Sequence, residues 1–60
     1  MEDIAINDSI EHNLSDGSTM LLSRPHQNRW SVANITEDEV RWEKEFSSLE
    51  AAWKEYIRYD

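Results

Sequence analysis

From Thr36 to Asp60 the chain contains neither glycine nor proline, and this segment opens with the pattern of a helix start. Thr36 followed three residues later by Glu39 makes a capping box, in which the threonine hydroxyl accepts from the Glu39 N–H and the Glu39 carboxylate reaches back. Ile35 and Val40 stand at the two positions of a hydrophobic staple. Glu37 and Asp38 in the first turn and Arg58 in the last complement the helix dipole. Glu37 with Arg41 and Glu50 with Lys54 add i,i+4 ion pairs in the better orientation. Trp42, Phe46, Leu49, Trp53 and Tyr56 recur at spacings of 4, 3, 4 and 3, the rhythm of a helix-packing seam that Val40 and Ile57 widen. These features predict one long amphipathic helix over about residues 37–58.

The segment before it alternates instead. Ile10, His12 and Leu14 interleave with Glu11 and Asn13, and Trp30 and Val32 interleave with Arg29 and Ser31. Asp16-Gly17 is a two-residue hairpin signal, and the "RPHQN" stretch is rich in turn formers. The expected fold is therefore α+β: a short antiparallel hairpin or meander over about 9–33, with strands near 9–14, 18–23 and 29–33, then the helix. A mostly α-helical chain with a poorly ordered N-terminus is the alternative, because Ile6, Ile10 and Leu14 also recur at helical spacing. Residues 1–60 read as one small domain: a flexible stretch over 1–15, a hairpin over 16–34 and the helix over 36–59.

Size and charge narrow the function. A 60-residue chain buries only about 60 % of its unfolded surface, so its core is small. It has no cysteine, which removes disulfides and thiolate metal sites and fits a reducing, cytoplasmic location. Thirteen acidic against six basic residues give a formal charge of −7, which disfavours direct binding to nucleic acid or to anionic membranes and favours a basic protein partner. No apolar run approaches the roughly 20 residues of a membrane span. His12 and His26 lack metal-site spacing, and one glycine leaves no room for a phosphate loop. No enzyme activity, metal or cofactor is expected.

A long helix of about 33 Å would overhang strands of about 17–20 Å and leave aromatic side chains uncovered. Trp42, Phe46 and Leu49 are expected to pack on the sheet. Trp53, Tyr56, Ile57 and Tyr59 near the C-terminus are expected to form a partner contact, joined by Glu43 and Glu50 on the acidic side of the helix. Arg24, Arg29 and Trp30 form a second candidate contact, since arginine and tryptophan are favoured interface anchors. The expected function is a non-enzymatic interaction module, a homodimer that regulates or inhibits a larger partner through its C-terminal helix. Two alternatives are a DNA mimic, with carboxylates at Glu37, Asp38, Glu43, Glu45, Glu50, Glu55 and Asp60, and an antitoxin-like segment that folds on its partner.

Overall fold

A computed structural model describes residues 3–59 of the protein. Four strands, β1 (Ser9–Asn13), β2 (Thr19–His26), β3 (Arg29–Ile35) and β4 (Val40–Phe46), precede a single helix, α1 (Leu49–Ile57). The strands form one antiparallel sheet in the order β1-β2-β3-β4, so each pairs with its neighbour in sequence and β1 and β4 are the edges.

The long helix is overturned, and so is the mostly helical alternative: residues 40–46 are a strand, and the helix has nine residues. Trp42 and Phe46 lie four apart, a spacing that keeps two side chains on one side of a helix and also on one face of a strand. The residues between them decide. Glu43 and Glu45 alternate with Lys44, and an edge strand exposed on one face accommodates that pattern, whereas burying a helix seam here would require more apolar positions. The capping signal at Thr36 is used differently. Its Oγ1 does accept from the Glu39 N–H at 3.2 Å, but its own N–H donates to the Glu39 carbonyl at 2.8 Å, which closes the loop between β3 and β4. The staple pair Ile35 and Val40 meets as cross-strand partners at the mouth of that loop. The helix starts instead at Ser48, whose extended backbone and side chain cap the Ala51 N–H at 3.2 Å.

The three earlier strands lie within one to three residues of the alternating segments. Asp16-Gly17 is not a two-residue turn, however. Asn13 pairs with Thr19, so residues 14–18 form the connection, and Gly17 takes a φ of +91° there, a left-handed conformation that favours glycine. Gln27 and Asn28 make the tight turn between His26 and Arg29.

The helix lies across one face of the sheet. Cross-strand partners share a face, so Met20, Leu22, Trp30, Val32, Asn34, Trp42 and Phe46 point to the same side, with Ile10 and His12 on β1. Ala52 and Tyr56 close onto that side, forming a core with Met20, Leu22, Trp30 and Val32; Leu49 and Trp53 pack at its margin. Leu22 and Val32, paired in the centre, are fully buried. Leu22→Ala should cost about 2–5 kcal/mol, most of the stability of so small a core, whereas Val40→Thr at an exposed site should change it by less than about 0.5 kcal/mol; urea unfolding of the two variants checks both.

Candidate interaction surface

The residues singled out from sequence fall in three separate places. Tyr56 is in the core, 5 % exposed, with its ring edge-on to His12 at 4.6 Å, and Trp53 packs beside it at 5.6 Å. Burial, and then the charge of Glu11, pushes the Tyr56 hydroxyl above the ordinary phenol range. The His12 Nε2 lies 3.1 Å from the Tyr56 carbonyl oxygen, which only accepts, so this nitrogen carries the proton and ties β1 to the last turn of the helix. Ile57 and Tyr59 are exposed, although Tyr59 leans on Trp42 at 5.7 Å and its hydroxyl donates to Glu55 at 3.3 Å. Glu50 is exposed and pairs with Lys54.

The candidate contact at Arg24 and Trp30 is consumed internally. The Arg24 guanidinium sits 4.8 Å from the Trp30 ring and donates to Asp3, to the Ile4 carbonyl and to the Gln27 carbonyl. The Trp30 Nε1 donates to the other oxygen of Asp3 at 3.1 Å. One carboxylate thus clamps the N-terminal segment over both side chains. Arg29 remains exposed and reaches Glu45 at 3.3 Å.

The reason for expecting a bare helix seam also reverses. A nine-residue helix is about 14 Å long, whereas strands of seven or eight residues run about 23–27 Å. The sheet overhangs the helix, and its second face has no described element packed on it.

The pairing register reads that open face row by row. The central row runs Glu11, Leu21, Ala33, Glu43 across all four strands. On one side of it lies Asn13, Thr19, Ile35, Val40, and on the other Ser9, Ser23, Ser31, Glu45. Leu21, Ala33, Ile35 and Val40 make an apolar strip in which Val40 is 61 % exposed, Leu21 and Ile35 are half-buried and Ala33 is buried beneath its neighbours. Glu11 and Glu43 bracket the strip, separated by three strand spacings, about 14 Å. Glu43 is braced by the Ser31 hydroxyl, which donates to it at 3.1 Å. Of the expected contact residues Glu43 and Arg29 belong to this side, as does Glu45 from the DNA-mimic set; Glu11, Leu21, Ala33, Ile35 and Val40 are not expected as contacts from the sequence. The available signal was the run Met20-Leu21-Leu22, which makes β2 apolar on both faces when only one helix follows to cover it.

The buried polar groups serve the fold. The Ser18 Oγ donates to Asp16 at 2.6 Å and accepts from the Asn34 amide at 3.0 Å, satisfying an asparagine that is 4 % exposed at the end of the core. Glu55, 9 % exposed, is met by Lys44 and Arg58. Among the described residues no group of three metal-ligating side chains converges, and no helix is long and apolar enough to cross a membrane. Comparison with protein-family models, with curated proteins and with solved structures finds no match.

Asp16 supplies a pH signature. The hydroxyl and then the N–H of Ser18, followed by Arg41 at 3.3 Å, hold its carboxyl below the ordinary aspartate range. A carboxyl lowered on folding contributes stability above its unfolded pKa of about 3.9, and this is lost as pH falls through the lower folded value. Ser18→Ala should therefore lower the urea midpoint at neutral pH, with the gap to wild type narrowing between about pH 5 and pH 2. The part due to the stranded Asn34 amide should persist at every pH.

Proposed function

We propose that the protein is a non-enzymatic interaction module that regulates or inhibits a larger, basic protein partner by docking its open sheet face on it. The observation that carries this reading is the strip of half-buried Leu21 and Ile35 with exposed Val40, flanked by the carboxylates Glu11 and Glu43, on a face that no described element covers. Contiguous apolar surface rimmed by charge is the usual mark of a contact site. Ala33 and Ser31 in the middle of the face are buried, so Leu21, Ile35 and Val40 present its apolar surface, and the net charge of −7 favours encounter with a basic surface.

This reading moves the contact away from the helix. Tyr56 and Trp53 support the core, while Ile57 and Tyr59 lie at the C-terminal end of the helix and Glu50 in its first turn, without an apolar strip between them. A non-catalytic role is supported by the buried polar side chains, since Ser18, Ser31, Asn34 and Glu55 are all committed to internal hydrogen bonds. The absence of cysteine supports a cytoplasmic setting. The DNA-mimic alternative loses its main support. Its carboxylates divide among the β3–β4 loop (Glu37, Asp38), the edge strand (Glu43, Glu45) and the helix (Glu50, Glu55), where Glu55 is nearly buried, while Asp60 lies outside the described residues. An antitoxin-like segment that folds only on its partner would lack cooperative thermal unfolding when alone.

The test is NMR. A partner retained from native extract by the immobilised protein is purified and titrated into isotope-labelled protein. Shifts should map to Glu11, Leu21, Ala33, Ile35 and Glu43, and Leu21→Lys, folded by circular dichroism, should weaken binding at least about ten-fold, the effect of a charge placed in the centre of a contact. Shifts confined to the helix residues Glu50, Lys54, Ile57 and Tyr59, or unchanged affinity in Leu21→Lys, would contradict the reading.

A further inference from the structure

β4 pairs with β3 on one side, and among the described residues no strand pairs with its other edge. Free edges of this kind are normally blunted by charge and by bulges, and β4 has both. Glu43, Lys44 and Glu45 stand in succession, and a bulge at Arg41 shifts the register between Asn34–Trp42 and Ile35–Val40. These features do not oppose every partner equally.

Antiparallel pairing of β4 with a second β4 about a two-fold axis opposes residues whose numbers have a constant, even sum. Centred on Lys44, it sets Lys44 against Lys44 and Glu43 against Glu45, a strip of like charges. Centred on Trp42, it puts the Arg41 bulges of both strands beside the axis. Centred on Glu43, it matches Trp42 with Lys44 twice and Arg41 with Glu45 twice, leaving one like-charge contact, Glu43 with Glu43, on the axis. Within one chain the Lys44 ammonium lies 5.1 Å from the Trp42 ring and 3.4 Å from a Glu55 oxygen, so this register exchanges an internal cation–aromatic contact for the same contact across the axis. Arg41 and Glu45 are about half exposed, and their present partners, Asp16 and Arg29, are both 3.3 Å away at the surface, so either can turn outward at little cost.

We propose that the protein self-associates as a two-fold dimer through its β4 edges, antiparallel and centred on Glu43, giving a continuous eight-stranded sheet. The occupant of the edge is a second copy because charge complementarity along β4 is satisfied by β4 itself in this register. The arrangement pairs strand edges and leaves Leu21 and Ile35 uncovered, so it does not require the docking reading above, although Glu43 and Glu45 border both surfaces. It also joins the two Glu11-Leu21-Ala33-Glu43 rows end to end on one side of the dimer.

The test is sedimentation equilibrium on the whole chain with charge-swapped variants, their folds checked by circular dichroism. Wild type should dimerise. Arg41→Glu alone and Glu45→Arg alone should each weaken the dimer roughly ten-fold or more, since each removes two attractive cross-strand pairs and creates two repulsive ones. The double variant carrying both exchanges should recover wild-type dimerisation. Glu43→Gln should tighten the dimer up to about five-fold by relieving the contact on the axis. A wild type that is monomeric up to about 1 mM overturns the proposal. So does a dimer indifferent to Arg41 and Glu45, which would use another surface, or one weakened by Glu43→Gln, which would mark the Trp42-centred register.

Discussion

The closure of Ala52 and Tyr56 onto Leu22 and Val32 is the contact on which the rest of this structure depends. A nine-residue helix is too short to persist alone in water, and a four-stranded sheet of this size has little apolar surface to bury except against it. Ala52 is fully buried because its small side chain lets the helix approach the sheet closely, and Tyr56 then spans the gap toward β1, where His12 holds the carbonyl above it. Neither layer is stable without the other, which fits the cooperative behaviour expected of a single small domain. The N-terminal clamp of Asp3 on Arg24 and Trp30 closes the opposite end of the same core.

Among the described residues, one helix packs on four strands and covers one face of the sheet. The second face must be tolerable in water, and its composition shows how: serines in one row, carboxylates at the rims, and small residues in the middle. The apolar strip of Leu21, Ala33, Ile35 and Val40 is what water alone does not explain. The functional reading rests on that remainder, and the edge strand adds a second surface whose charges match a copy of itself.

What the sequence showed plainly was the alternation before residue 35. Trp30 and Val32 point one way while Arg29 and Ser31 point the other, and a period of two has no helical counterpart over that stretch. The C-terminal third misled for a physical reason. A threonine with a glutamate three residues on satisfies backbone donors equally well in a tight loop and in a first helical turn, so Thr36 and Glu39 did not distinguish the two. Trp42 and Phe46 fit both periods. The decisive signal was Ser47-Ser48, a second and better cap placed in the middle of the supposed helix, where serine would otherwise compete with the backbone. The contact surface was harder to read, because membership of a face is set by register, and register depends on turn lengths and on bulges at β2 and β4 that no local pattern fixes. Trp53 and Tyr56 are free for a partner only if the helix extends beyond the sheet, and the nine-residue helix instead sets them against the core.

The central claim is that residues 40–46 form a strand paired with β3, because the open face, the free edge and the short helix all follow from it. Backbone NMR of the uniformly labelled protein tests this most directly. The account predicts extended-strand carbon shifts over Val40–Phe46, cross-strand contacts between Ala33 and Glu43 and between Trp30 and Phe46, and helical shifts beginning at Leu49. An unbroken run of helical shifts from residue 37 through residue 57, without those contacts, would contradict it.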